Sequence, residues 1–183
     1  MIEQRVYRAA ELPALLECQV RDFVRIVWPF ANIDNPSVPL DEPDHDPHHF
    51  VIADGDMLIS NAQVTTFSLE HDGETYRVGG LGGVMTYPNF RKGGYGVQVV
   101  AAATQFIAAS GVDFGMLFTS PEREDFYNRN SWVRLPNVVI LTGAINDPHV
   151  HDEITMMYPV SARGNQALEL FRNARLYVGP HTW

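Results

Sequence analysis

The chain has 183 residues, 45% of them hydrophobic, which is enough apolar surface for one compact domain with its own core. Its 22 acidic residues outnumber its 13 basic ones, for a net charge of −9, and this excess argues against nucleic acid as a partner because phosphates repel an acidic surface. The start Met-Ile-Glu-Gln-Arg is unlike a signal peptide and no stretch has the apolar length of a membrane span, so we expect a soluble, cytoplasmic protein with no membrane partner.

The first quarter of the chain predicts a strand, a helix and a long loop. Val6–Ala9 suits a short strand, and Glu11–Val27 places its apolar residues on one helical stripe. The single cysteine, Cys18, falls on this helix among apolar residues, and we expect it to be buried and inert. Pro, Asp, Asn and His dominate from Ala31 to His49, which indicates a loop. A loop of this length usually acts as a lid or a binding loop.

The rest of the chain predicts a meander of strands followed by a strand-helix-strand unit. Alternating patterns predict strands over 50–53, 57–69 and 75–86, joined by hairpin turns. The later elements are a helix over 95–110, a strand over 114–119, a short helix over 122–128, strands over 138–141 and 154–160, and a helix capped by Asn165 that runs to about Arg175. This order predicts a single domain over residues 1–183 of mixed α/β (α+β) class.

The segment from Val84 to Val97 runs from a strand through a glycine-rich turn into a helix. Glycines at positions 93, 94 and 96 let the backbone approach a ligand closely, and the free N–H groups of the first helical turn lie at the positive end of the helix dipole. Arg91 and Lys92 add positive charge, so a diphosphate is the expected ligand. A tight strand-to-helix connection is the alternative. The pattern matches neither the P-loop nor the dinucleotide fingerprint, which makes ATP and NAD poor candidates.

Two motifs in this region carry a family resemblance. Arg91-x-x-Gly94-x-Gly96, behind a strand that ends at Thr86, resembles the acetyl-CoA motif of the GNAT N-acetyltransferases. Residues 114–120 resemble the strand of that family that splays from its neighbour to admit the pantetheine arm, and Asp125-Phe-Tyr-Asn-Arg-Asn-Ser-Trp132 resembles its second signature. The resemblance implies an N-acetyltransferase with acetyl-CoA as donor and CoA as product. It also implies the GNAT fold, a mixed, mostly antiparallel sheet flanked by helices, with splayed strands at the acetyl-CoA site.

The resemblance assigns roles to particular residues. Tyr127 would lie near the thioester sulfur as the catalytic acid, where a phenol can protonate the departing thiolate; the alternative is a core tyrosine packed on Phe126. The cofactor-binding residues that it implies, through backbone groups or positive charge, are Val84, Met85, Thr86, Arg91, Lys92, Gly93, Gly94, Tyr95, Gly96, Val97 and Ser120.

The general base is missing from its usual place. An ammonium group has no lone pair, so the acceptor amine must lose a proton before it attacks the thioester. Many GNAT enzymes place a Glu on the strand before the phosphate loop for this purpose, and this chain has Gly82 there. Glycines at 79, 80, 82 and 83 suggest a bulge or a close backbone approach by a ligand, or an irregular strand end. The base is left open between another acid or a histidine acting through water and a substrate that arrives partly neutral.

Within the family, the closest likeness is to the aminoglycoside 2'-N-acetyltransferases. It depends on Phe118-Thr-Ser-Pro-Glu-Arg123, on Ser131-Trp132 and on the last residue, Trp183. This resemblance implies acetylation of a primary amine on a cationic small molecule, an aminoglycoside-type antibiotic, and hence resistance; acidic side chains suit such a substrate. The substrate-binding residues that it implies are Asp41, Glu42, Asp44, Gly82, Asp152, Glu153 and Trp183 with its terminal carboxylate.

Several alternatives stay open from the sequence. Asp41–Asp46 are also consistent with a solvated loop, and the Trp183 indole with an anchor for the chain end. The acceptor could be another small amine, such as a polyamine or an amino acid, and the missing Glu also allows a non-catalytic acetyl-CoA-binding module. His45–His49 lack the spacing of a tetrahedral metal site, so we expect no metal, although one of these histidines could carry a proton. Dimers are common in the family, so the resemblance allows a homodimer.

Overall fold

The computed structural model of the chain describes residues 1–28 and 45–183. The helices in these ranges are α1 (Ala14–Val27), α2 (Tyr95–Ala109), α3 (Glu124–Asn128) and α4 (Ala162–Leu170). The strands are β1 (Ile2–Arg8), β2 (His48–Asp54), β3 (Met57–His71), β4 (Glu74–Thr86), β5 (Phe114–Thr119), β6 (Val133–Arg134), β7 (Val139–Ala144), β8 (Asp147–Val150), β9 (Ile154–Pro159) and β10 (Arg175–Tyr177). No helix in the described part of the chain combines the length and the apolar character needed to cross a bilayer.

These elements form two compact units. The first, here called the N-terminal unit, comprises Met1–Thr65 and Gly83–Ala103. The second, here called the C-terminal unit, comprises Thr66–Gly82 and Thr104–Trp183. Strands β3 and β4 and helix α2 each contribute residues to both units.

The N-terminal unit is an antiparallel meander with one helix packed on it. β1 pairs with β2 and β2 with β3, and β3 is followed in the sheet by β4. The apolar residues of α1 recur every three or four positions, so one face of the helix is apolar and is buried. On that face Leu16, Val20 and Phe23 pack with Leu58 and Met85 of the sheet.

The C-terminal unit contains the parallel step of the fold. β4 runs parallel to β5, which is antiparallel to β9, and β9 is antiparallel to β6. A second, three-stranded sheet has the order β10-β7-β8. The core of this unit includes Phe114, Met116, Met157 and Phe171, all fully buried. The architecture is therefore a mixed, mostly antiparallel sheet flanked by helices, as the resemblance implied.

Some of the expected boundaries are wrong. β1 begins at Ile2 rather than Val6, and α1 begins at Ala14, after a 3-10 turn over Ala9–Glu11. His48 and His49 belong to strand β2 and not to the preceding loop. Cys18 is exposed, because it lies on the face of α1 opposite to the buried stripe.

The last helix starts earlier than expected and ends earlier. Asn165 lies inside α4, and Ser161 is the residue that caps it, since the Ser161 hydroxyl accepts a hydrogen bond from Gly164 N at 3.0 Å. The same hydroxyl donates to Asp113 Oδ1 at 2.9 Å, which fixes the cap. The helix ends at Leu170, and Arg175 starts β10 instead of ending a helix.

Candidate active site

The glycine-rich turn of the N-terminal unit joins the end of β4 to the start of α2. Its path requires left-handed backbone at two residues, Lys92 with φ +69° and Gly94 with φ +82°. Gln98 N donates to Gly94 O at 3.1 Å, so Gly94 occupies the position just before the helix. The N–H groups of the first turn of α2 therefore have no partner inside the helix and are available to an anion.

The side chains of this turn leave room for a ligand. A Cβ at position 94 would meet only Gln98 Nε2, at 3.9 Å, so the space beside Gly94 is open. A Cβ at position 93 would lie 2.8 Å from the Tyr95 ring, so a side chain there would force that ring to shift. Arg91 and Lys92 are exposed, and the Arg91 guanidinium donates to Thr86 O at 3.2 Å. An open cradle of amides beside two cations fits the diphosphate of coenzyme A.

The expected contact residues on either side of Gly93 and Gly94 differ in exposure. Val84, Thr86, Tyr95, Gly96 and Val97 are half-buried. The Met85 side chain is buried in the core of the N-terminal unit, so only its backbone can serve a ligand. The contact of backbone groups of this strand with the coenzyme stays a prediction.

The ladder between β4 and β5 in the C-terminal unit stops before either strand ends. The register pairs Val78 with Phe114 and Gly80 with Met116 and goes no further. From Leu117 to Thr119, β5 pairs only with β9 among the described residues. The two strands are thus splayed beyond Gly80, as the resemblance implied. Ser120 follows β5 directly and is half-buried; its hydroxyl hydrogen-bonds the Glu122 side chain.

Tyr127, the expected acid, is a buried residue of α3 that packs edge-on against Phe126. Burial raises the pKa of its phenol to about 12, and the negative charge of Glu153 acts in the same direction. Arg123 and a hydrogen bond with the Thr119 side chain oppose that rise. The phenol is therefore protonated at any physiological pH and can act as a hydrogen-bond donor.

Trp183 explains two of the four glycines in β4. A Cβ at Gly80 would lie 2.5 Å from Trp183 Cε2, so the indole lies flat against the strand there. A Cβ at Gly82 would lie 2.7 Å from both the main-chain carbonyl carbon and the oxygen of Trp183. At Gly80 and Gly82 the chain's own Trp183 makes the close approach that the glycines indicated. The main-chain carbonyl of Trp183 lies where the side chain of a Glu at position 82 would begin.

The other two glycines of the strand have different causes. Gly79 leaves room for Ile107 of α2, whose Cγ1 would lie 3.1 Å from an added Cβ. Gly83 has φ +56°, a conformation that side chains disfavour and that marks an irregularity in the strand.

Two phenylalanine rings pack on Trp183 in the C-terminal unit. The indole centroid lies 4.5 Å from that of Phe67 and 4.9 Å from that of Phe118. Phe118 also meets the His151 ring at 4.8 Å, and His151 Nε2 lies 3.3 Å from Glu153 Oε2. The indole Nε1 is buried and has no hydrogen-bond partner among the described residues.

The predicted acidic residues are only partly described. Asp152 and Glu153 are exposed, immediately before β9, and Glu153 acts electrostatically on Tyr127. Asp41, Glu42 and Asp44 lie outside the described residues. In residues 1–28 and 45–183 no group of three or more His, Cys, Asp or Glu side chains could hold a metal ion.

Two residues that the structure places in or beside these sites carried no assignment from the sequence. His151 packs on Phe118, and Asn61 is fully buried next to Gly83. A polar residue in the apolar run of β3 was the available signal for Asn61. No sequence pattern indicated the contact of His151 with Phe118, because the two residues are far apart in the chain and His151 lies in the segment between β8 and β9.

Comparison with known proteins identifies the family. Residues 25–134, more than half of the chain, match the model of the acetyltransferase (GNAT) domain. No curated protein is similar enough in sequence to count as a relative of this chain.

Solved structures of acyltransferases share the fold. An acyl-CoA N-acyltransferase from Pseudomonas aeruginosa superposes with a TM-score of 0.61 at 17% identity, over 86% of this chain and 99% of that one. ElaA of Escherichia coli superposes with a TM-score of 0.59 at 17% sequence identity, over 86% of this chain and 99% of that one. Glucosamine-6-phosphate N-acetyltransferase from Arabidopsis thaliana superposes with a TM-score of 0.56 at 14% sequence identity, over 72% of this chain and 90% of that one. With the domain match, these structures confirm the GNAT fold, and the chain belongs to the GNAT family of acetyl-CoA-dependent N-acetyltransferases.

Proposed function

We propose that the chain acetylates the primary amine at the 2' carbon of an aminoglycoside-type antibiotic, with the terminal carboxylate of a chain that ends at Trp183 as the general base. The observation that carries the proposal is the contact of that group with Gly82, where family members commonly have a Glu. Where the chain ends at Trp183, the group is a carboxylate and can accept a proton. In that case it supplies the proton acceptor that Gly82 lacks.

The proposed roles of the residues follow from their chemistry. Acetyl-CoA, when bound, supplies the acetyl group as a thioester. The Trp183 carboxylate takes a proton from the acceptor ammonium, which frees the nitrogen lone pair for the new N–C bond. The amides at the start of α2, with Arg91 and Lys92, hold the diphosphate. Tyr127 donates a hydrogen bond from its Oη to the sulfur as the C–S bond breaks.

Tyr127 acts by donating a hydrogen bond rather than by complete proton transfer. Its pKa of about 12 lies well above the value of about 8.5 for an ordinary thiol, so full transfer to the thiolate is uphill. A hydrogen bond to the developing negative charge still lowers the barrier, because the donor is buried and already in place.

Tyr127→Phe is expected to lower kcat by roughly a hundredfold, with the dissociation constant of acetyl-CoA nearly unchanged. The unsubstituted enzyme should show no loss of kcat from phenol ionisation up to about pH 10, since the raised pKa keeps the proton in place. Steady-state release of free thiol, together with calorimetric cofactor titration, measures both quantities. Undiminished turnover in Tyr127→Phe removes Tyr127 from the mechanism.

Three features support a cationic amino sugar as the acceptor. The chain carries a net charge of −9 and presents Asp152 and Glu153 as exposed carboxylates before β9. The side chains around Trp183 are aromatic, and flat apolar faces of this kind pack well on sugar rings. An acidic and aromatic surface suits a polyamine sugar better than an amino acid, whose carboxylate it would repel.

An acceptor screen tests the proposal. Free-thiol release from acetyl-CoA is measured with aminoglycosides, with linear polyamines and with amino acids at equal concentration. We expect saturable release with aminoglycosides and only background release with amino acids. Turnover of a linear polyamine or an amino acid, with none of any aminoglycoside, contradicts the assignment of the acceptor while leaving the enzyme class intact.

A further inference from the structure

A buried set of hydrogen bonds links three neighbouring strands of the N-terminal unit. His49 Nδ1 of β2 lies 3.1 Å from Asn61 Oδ1 of β3, and Asn61 Nδ2 donates to Gly83 O of β4 at 3.0 Å. Both side chains are fully buried. An amide oxygen can only accept, so His49 Nδ1 carries the hydrogen, and this bond turns the NH₂ end of Asn61 toward Gly83.

This arrangement compensates for the irregular backbone at Gly83. With φ +56° the residue departs from extended geometry, and its carbonyl is bound by the Asn61 side chain. Gly83 is half-buried, and a carbonyl partly shielded from water costs free energy if it has no partner, so Asn61 satisfies a group that the irregular backbone would otherwise leave unpaired. An apolar pair of similar size at positions 49 and 61 would avoid the desolvation of two polar side chains but could not hold this carbonyl.

The hydrogen bond from Asn61 also determines the direction in which the peptide group between Gly83 and Val84 points. The described residues contain no cis peptide bond, so the Val84 N–H points opposite to the Gly83 carbonyl and therefore away from Asn61. Ser60 makes the same kind of bond two residues further along β4. Its hydroxyl donates to Met85 O at 2.7 Å, so the Thr86 N–H on the other side of that peptide points away from β3. Side chains of β3 thus fix the carbonyls, and the amides of Val84 and Thr86 face the other way.

We propose that Asn61, oriented by His49, is a positioning residue that presents the Val84 amide to the pantetheine arm of acetyl-CoA. The family resemblance implies that the pantetheine arm binds along the backbone of Val84, Met85 and Thr86, and the inference rests on that placement as part of the proposed function. Asn61 does not touch the coenzyme in this account. It acts through the Gly83–Val84 peptide, which it holds in one orientation before the ligand arrives, so that binding needs no rearrangement.

The test compares two ligands on matched variants. Asn61→Leu removes the donor to Gly83 O, and Thr65→Val serves as control, because Thr65 is equally buried in β3 and its hydroxyl has no hydrogen-bond partner among the described residues. One ligand is acetyl-CoA; the other is the nucleotide half of coenzyme A, which carries the diphosphate but lacks the pantetheine arm. Dissociation constants are measured by calorimetry, with thermal denaturation recorded for each variant.

We expect Asn61→Leu to weaken acetyl-CoA binding about three- to tenfold, the effect of misaligning one hydrogen bond, and to leave the affinity for the nucleotide half unchanged. Thr65→Val should change neither affinity. Asn61→Asp keeps the shape and the acceptor for His49 but lacks the N–H donor, so it should repeat the pattern of Asn61→Leu if that variant folds poorly.

Two results overturn the inference, and they are distinguishable from failure of the proposed cofactor site. Unchanged acetyl-CoA affinity in both Asn61 variants, or an equal loss for both ligands, shows that the hydrogen bonds serve only the fold. Absence of acetyl-CoA binding by the unsubstituted chain overturns the cofactor placement as well.

Discussion

Adding a single glycine after Trp183 is expected to lower kcat at least about a hundredfold, since general-base catalysis contributes roughly a hundred- to ten-thousandfold. The extension converts the carboxylate beside Gly82 into an amide, which cannot accept a proton from the acceptor amine. The dissociation constant of acetyl-CoA should stay the same, because the phosphate loop is untouched. Steady-state kinetics and calorimetry on the extended chain measure the two effects separately.

A matched control keeps the carboxylate and changes the side chain. Trp183→Phe retains the main-chain group and much of the packing on Phe67 and Phe118, so it should keep most of the turnover. Full activity in the glycine-extended chain, or an equal loss in Trp183→Phe, contradicts the role of the carboxylate.

A rescue experiment sharpens the same prediction. In a chain that ends at Trp183, Gly82→Glu should destabilise the protein, since its Cβ would lie 2.7 Å from the main-chain carbonyl carbon of Trp183. In a chain that ends at Thr182 the space is vacated, and the new side chain can act as the base. We expect the shortened chain to lose activity and Gly82→Glu to restore at least about tenfold of it. If Gly82→Glu in the shortened chain is folded but restores no activity, the Glu side chain cannot replace the Trp183 carboxylate as the base, which contradicts the proposal.

Gly94→Asn is expected to abolish acetyl-CoA binding, weakening it by at least about a hundredfold, or about 2.7 kcal/mol. Position 94 opens on empty space, so the new side chain would stand where the diphosphate is proposed to bind. Asparagine tolerates left-handed backbone better than other side chains, so the fold should survive at φ +82°. The measurement is a calorimetric titration of the variant with acetyl-CoA.

Gly55 provides the control for that substitution. It has φ +60° in the turn between β2 and β3, and a Cβ there would meet nothing within 4 Å. Gly55→Asn therefore introduces the same change of residue at a similar backbone angle, outside the phosphate loop. Equal affinities in the two variants would refute the placement of the diphosphate at Gly94.

Sequence patterns predicted the regular elements best where many residues share one period. The strand Phe114–Thr119 is predicted to the residue and α2 to within one, because an apolar run and a helical stripe bounded by Gly111 define them. The short strands β6, β8 and β10 were missed. Two to four residues carry no detectable period, and such strands form only because a partner strand is present.

The candidate site was predicted in its local parts and missed in its long-range ones. The phosphate turn could be read from Arg91 to Val97 because all its groups are neighbours in the chain. The contact of Trp183 with Gly80 and Gly82 joins residues about a hundred positions apart, and the glycines indicated only that something approaches closely. The role proposed for Asn61 depends on the backbone angle of Gly83, which no sequence pattern specifies.

The most direct test of the account measures free-thiol release by the unsubstituted chain with kanamycin B and with kanamycin A, which differ in an amino or a hydroxyl group at the 2' carbon. Saturable release from acetyl-CoA is expected with kanamycin B and background release with kanamycin A, because only kanamycin B offers an amine at the 2' carbon to the Trp183 carboxylate. Equal release with both compounds, or none with either, contradicts it.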